Sequence, residues 1–205
     1  MIISDTMSVT DAVSQNRAER RKQQTRAAIK QAAFDLLREM GYQKLSVRAI
    51  TERADVGYGT FYIHFSDKDD VVWEVVKEWS DAMMQQVWQR VAHEPFPRRE
   101  YLSWVYTFEH LAATREGFVE IFGPNGSTRL LQRYQEYVVD IHRSNLEQHH
   151  YSAGLNLPLE FLAQFMAGGL VRLMQWWAQG NAAYTAEEMA QLLFRAVYRA
   201  DAPLP

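Results

Sequence analysis

From Arg20 onward apolar residues recur at spacings of three and four. Ile29, Ala32, Ala33, Leu36, Leu37 and Met40 therefore fall on one stripe of a helix, and Gly41 supplies its stop. A short helix follows over 46–54, with Ser46 as its N-cap and Val47, Ala49 and Ile50 as its apolar members. Asp55 tolerates the left-handed or turn conformation needed next. A third short helix runs from about Gly57 to His64, turning Val56, Phe61 and Phe65 inward. Ser66 begins a long helix whose first turn holds Asp67, Asp69 and Asp70, where carboxylates cap free N–H groups. Its stripe, from Val71 and Val72 through Trp79 to Val91, ends before Pro95 and Pro97.

Further helices are expected at about 98–113, 116–122, 127–151, 158–179 and 186–199, and no strand pattern or internal repeat interrupts them. Thr185 and Glu188 form a capping box at the start of the last. Residues 1–15 are polar and aperiodic and read as a disordered tail. The most apolar stretch, 161–180, is interrupted by Gln164, Arg172, Gln175 and Gln179, so it reads as a buried helix rather than a membrane span. No secretory signal pattern is present.

Charge divides the 205 residues unevenly. Residues 1–68 carry eleven Lys/Arg against eight Asp/Glu, and 69–205 carry eleven against seventeen; from Asn16 to Lys68 the balance is eleven against six. A basic head on an acidic body suits a polyanion partner for the head, or else a merely solvated face. Zero cysteines excludes disulfides and thiolate metal sites and suits a reducing cytoplasm.

Three short helices, the last two a turn apart, describe a helix-turn-helix whose second member lies in the DNA major groove. Tyr58, Thr60, Tyr62 and His64 are its outward hydrogen-bond donors, unless the tyrosines are ordinary surface aromatics. Gly57 starts that helix unobstructed, and Gly59 lets the backbone come close to whatever the helix faces.

The stretch "LSVRAITERADVGYGTFYIHFSDKDDVV" resembles the DNA-binding domain of the TetR family of transcriptional regulators. The turn Ala54-Asp55-Val56, the run Thr60-Phe61-Tyr62-Ile63-His64-Phe65 and Lys68 carry the likeness, over roughly residues 22–75. The resemblance implies an all-α chain of about nine helices: a helix-turn-helix DNA-binding domain over 16–66, then a helical effector-binding and dimerisation domain over 67–205. It implies that Thr60, Tyr62, His64 and Lys68 contact phosphates and that Arg48, Tyr58 and Gly59 reach base edges. Ser46 stands with them at the interface. Ile63 either meets a thymine methyl or packs, and Asp55 replaces the family's usual turn glycine.

In the body, Leu162, Phe165, Met166, Gly169, Leu170, Leu173, Trp176 and Trp177 make a stripe wider than one neighbour requires. With Leu193 and Val197 on the final helix, that stripe is either a homodimer interface, as the family layout implies, or buried within one subunit. The same layout implies an effector pocket. Trp104, Phe108, Phe122, Tyr137, Phe165 and Met174 are its candidate lining, and Glu109 or His142 its polar anchor for an apolar or cationic aromatic molecule. Alternatively these aromatics are plain core.

A carboxylate-bridged metal enzyme would need two Glu-x-x-His pairs, and the chain has one, Glu147 and His150. No phosphate loop, nucleophile elbow or zinc-protease helix is present, so no enzyme, cofactor or metal is expected. The expected function is a cytoplasmic DNA-binding regulator, a repressor released from a palindromic double-stranded operator by a small molecule. The alternative is an adaptor governed by a protein partner.

Overall fold

The computed structural model describes residues 9–95, 97–149, 157–180 and 183–198, and every regular element among them is helical. In chain order these are α1 (Val9–Lys44), α2 (Val47–Ala54), α3 (Tyr58–His64), α4 (Lys68–Val91), α5 (Arg98–Ala113), α6 (Arg115–Phe122), α7 (Thr128–His149), α8 (Leu159–Ala178) and α9 (Ala186–Tyr198).

The disordered tail expected over 1–15 is corrected at its C-terminal side, because α1 already begins at Val9. Residues 9–20 lack an apolar stripe, but Ala, Gln, Arg and Glu lose little on entering a helix. Once the buried stripe downstream nucleates α1, each added residue gains a hydrogen bond. Residues 1–8 lie outside the described residues.

Gly41 breaks α1 as the pattern predicts, with φ 77 and ψ 168. Only glycine enters that region freely, and a Cβ there would also overlap the Glu120 carboxylate, which accepts the Tyr42 N–H at 2.8 Å.

The chain forms two compact units. One gathers the described residues up to Met40 together with Lys44–Val75; the other takes Gly41–Gln43 and the described residues from Val76 onward. The division thus falls inside α4, later than the boundary at residue 66 read from the sequence. The first turns of α4 are tied within the smaller unit: Glu74 pairs with Arg26 of α1, and the Lys68 ammonium donates to the Leu45 carbonyl at 3.3 Å.

The smaller unit closes on Ile29, Ala33, Ile50, Phe61, Val71 and Val72, all fully buried. Within the larger unit α7 lies along α8 and α5 along α9, while α6 touches both α7 and α8. Phe108, Leu130, Ala163, Val171 and Phe194 are buried between these helices. The predicted capping box is in place: Thr185 N–H donates to Glu188 Oε2 at 2.7 Å, and Glu188 N–H returns to Thr185 Oγ1 at 3.2 Å.

Candidate nucleic-acid interface

Ser46 caps α2, its Oγ accepting the Ala49 N–H at 3.2 Å. Ile50 and Thr51 turn inward, which leaves Arg48 on the solvent face with its side chain 76% exposed. Its Nε donates to Glu52 Oε1 at 2.8 Å, one turn along. That hydrogen bond, followed by the carboxylate's charge, raises the already high guanidinium pKa, so Arg48 stays a cation whose partner here is Glu52.

Asp55 ends α2 in the left-handed conformation, φ 52 and ψ 49, with its N–H donating to the Thr51 carbonyl. It is the only described non-glycine residue at positive φ, and it stands where the resembling family has glycine. Aspartate holds this conformation at some cost. Asp55→Gly is expected to stabilise the protein by about 0.5–1 kcal/mol. Thermal melting of the two proteins checks it; a variant no more stable than the parent would show that the turn carries no strain.

α3 is anchored by Phe61, fully buried, and by Phe65 just past its end. Thr60 and His64 are half-buried on one flank. Tyr58 and Tyr62 occupy the other, 51% and 57% exposed, and the Tyr62 ring meets Phe61 edge-on at 5.4 Å. Between the flanks, farthest from the core, lie Gly59 and Ile63, one turn apart, with Ile63 73% exposed. A Cβ at Gly57 or Gly59 would meet nothing within 4 Å, so the smaller unit's packing does not demand glycine at either position.

His64 differs from a cationic phosphate anchor. Burial, and then the charges of Arg26 and Lys22, push its imidazole below the ordinary 6.5, and its Nδ1 is enclosed without a hydrogen-bond partner. At neutral pH it is an uncharged ring.

Arg26 was not singled out from the sequence as a site residue. It donates to the His64 carbonyl at 2.5 Å, pairs with Glu74 and lies over the Phe65 ring, 4.2 Å from its centroid. It therefore holds the C-terminal end of α3 in place. The available signal was its spacing: three and seven residues before Ile29 and Ala33, it lies on the inward stripe of α1, where a cation needs a reason.

The body residues distribute differently from the sequence reading. Trp104, Phe108, Phe122, His142 and Met174 are buried. Phe122 stacks on Tyr134 at 4.7 Å, and Phe108 meets Trp177 edge-on at 5.5 Å. Tyr137 is half-buried and donates its hydroxyl to Asp81 Oδ1 at 2.8 Å.

Two of the pocket candidates do not belong inside. Glu109 is exposed, because the buried residues of α5, Tyr101, Trp104, Val105 and Phe108, set a stripe from which position 109 is rotated by about 100°. Phe165 is 67% exposed, because Ala163, Ala167, Leu170 and Met174 form the inward face of α8 and 165 lies opposite.

The outward face of α8 presents Phe161, Phe165, Gly168, Gly169 and Arg172, with Leu173 and Trp176 half-buried at its edge. On α9 the large apolar residue exposed among the described side chains is Leu192, whereas Leu193 and Val197 are half-buried beside the inward stripe. His150, of the one Glu-x-x-His pair, lies outside the described residues. Among the described residues no three His, Cys, Asp or Glu gather as a metal site, and no helix is long and apolar enough to cross a membrane.

The sequence family described as bacterial regulatory proteins, tetR family, matches residues 29–75, and one described as transcriptional regulator C-terminal region matches 103–199. The chain belongs to the TetR family. Among curated relatives, an uncharacterized HTH-type transcriptional regulator of Mycobacterium tuberculosis is 31% identical over 81 residues, covering 38% of this chain. The match spans only 42% of that relative's length.

Solved structures share the TetR-family fold along nearly the whole chain. A TetR-family regulator from Syntrophomonas wolfei superposes with a TM-score of 0.63 at 21% identity, covering 89% of this chain and 98% of its own. Thermus thermophilus FadR, a TetR-family repressor in complex with lauroyl-CoA, superposes with a TM-score of 0.68 at 20% identity, covering 88% and 98%. FadR from Bacillus subtilis, in complex with stearoyl-CoA, gives 0.54 at 18%, covering 82% and 95%.

Proposed function

We propose that this TetR-family chain is a sequence-specific, cytoplasmic DNA-binding regulator that acts as a homodimer on a palindromic operator and is released by a small molecule. The observation that carries the reading is the solvent face of α3. A helix of a helix-turn-helix leaves Tyr58, Gly59, Tyr62 and Ile63 uncovered, in a unit whose α1 exposes Arg17, Arg20, Arg21 and Lys22. A buried aromatic anchor beneath and basic residues nearby suit a helix entering the major groove, with phosphate contacts setting its register.

The open apolar face of α8 supports the two-fold dimer, which would place two reading helices about 34–36 Å apart. For the effector, the cationic variant loses its anchor now that Glu109 faces solvent. The buried aromatic body and the acyl-CoA complexes of the two FadR neighbours favour a ligand with a long apolar part.

Selecting bound DNA from a random pool at one fixed salt concentration tests the reading. A palindromic consensus with half-sites about one helical turn apart is expected; recovery of no enriched sequence would overturn it.

A further inference from the structure

We propose that the ridge formed by Gly59 and Ile63 reads the 5-methyl groups of thymines, so that each operator half-site presents thymine where α3 lies deepest. The inference rests on the DNA-binding reading above and adds the base chemistry that α3 selects.

The argument starts from what the ridge lacks. Guanine is read by arginine or lysine, adenine by asparagine or glutamine, and cytosine by a carboxylate. The α3 sequence, Tyr-Gly-Thr-Phe-Tyr-Ile-His, contains none of these. Its hydroxyls are on the flanks, where Tyr58 and Tyr62 reach outward and Thr60 is half-buried, and His64 is a half-buried neutral ring. Arg48, which reaches outward from α2, is held by Glu52.

What remains at the outermost position is branched alkyl and bare backbone. The sequence left open whether Ile63 packs or touches DNA. At 73% exposed, Ile63 contributes little to the packing of the smaller unit. On the major-groove floor an alkyl group has one complementary feature, the thymine methyl.

Gly59 fits the same purpose. The open space around it shows that its missing side chain is not required by the fold, and even in the first turn of a helix glycine is less favourable than alanine, by up to about 1 kcal/mol. It leaves room for a methyl to approach the helix backbone. Residues 59 and 63 are about 6 Å apart along the helix axis, close to two base-pair steps, so the ridge spans neighbouring pairs. The basic residues exposed on α1 supply the charge complementarity that brings this apolar ridge against a polyanion.

The test replaces thymine by deoxyuridine, one position at a time, in the selected operator, with affinity measured at fixed salt. Removing the methyl at the ridge position is expected to weaken binding about threefold to tenfold per half-site. Ile63→Ala, at an exposed position, is expected to lose a similar factor on the thymine operator and to become indifferent to the same deoxyuridine.

A half-site without thymine, full affinity for every deoxyuridine operator, or an Ile63→Ala protein that still distinguishes the two bases would overturn the proposal. Enrichment of no DNA at all would instead sink the DNA-binding reading, and this proposal with it.

Discussion

Replacing Phe165 with arginine is expected to leave a folded monomer whose operator affinity is lower by about a hundredfold or more. Phe165 sits on the face of α8 opposite Ala163, Ala167 and Met174, so the substitution removes nothing from the core of the larger unit. Its ring lies parallel to Phe161, centroids 6.3 Å apart with a 3° interplanar angle, which makes a flat apolar surface. Beyond it, a Cβ at Gly168 or Gly169 would meet nothing within 4 Å, so that stretch of helix is open to close approach by another helix.

Arg172 lies two turns along the same face. A second cation there adds like-charge repulsion to the cost of burying an unpaired charge. A monomer engages one half-site, and the second half-site's contribution, made nearly intramolecular by the dimer, is lost. Light scattering at micromolar concentration, paired with binding at fixed salt, measures both effects. A dimeric Phe165→Arg protein with unchanged operator affinity would remove α8 from the proposed interface.

Acidification is expected to cost the protein about 2 kcal/mol between pH 7 and pH 5 through one histidine alone. His142 on α7 is only 6% exposed, and burial pushes its imidazole down from 6.5 to about 4. The unfolded chain therefore takes up the proton first. The contribution is intact above about 6.5, falls away as pH drops through the window between 6.5 and 4, and is fully lost below it.

His142→Leu fills a similar volume without titrating. Urea melts at the two pH values should show a smaller pH dependence in that variant by about 2 kcal/mol, at one protein concentration because dimerisation adds to apparent stability. Some dependence remains, since burial lowers His110 in the same direction. Identical pH dependence in the two proteins would mean that His142 is not held neutral by its surroundings.

Much of this molecule was legible without coordinates. The α1 stripe and its stop at Gly41, the left-handed turn at Asp55, the short α3 and the Thr185–Glu188 box all rest on interactions spanning a few residues, and each has the predicted conformation. The family resemblance over 22–75 is carried by equally local features, the turn Ala54-Asp55-Val56, the run from Thr60 to Phe65 and Lys68. The start of α1 was missed because the signal used was apolar periodicity, and residues 9–20 are helical without it.

In the body the sequence marked apolar residues correctly as a class but not the direction each one faces. α8 carries phenylalanine, methionine, alanine and glycine around most of its circumference, and which arc turns inward is decided by where α7 and α6 lie. Small alanines took the buried side, close to neighbouring backbone, and the bulky Phe161 and Phe165 were left outside. The sequence reading therefore placed Phe165 in a pocket and at an interface together, which one side chain on one helix face cannot satisfy.

By itself, then, the sequence determined the order and type of the helices, their caps and breaks, the turn before α3 and the family, because those depend on neighbours within a turn or two. Only the tertiary structure decided that Glu109 and Phe165 face solvent, that burial pushes the His64 imidazole down, and that Arg26 braces α3. Arg26 reaches the His64 carbonyl and Glu74 across 38 and 48 residues of chain. No local pattern encodes such a contact, since it exists only once separate helices have been brought together by the burial of their shared apolar faces.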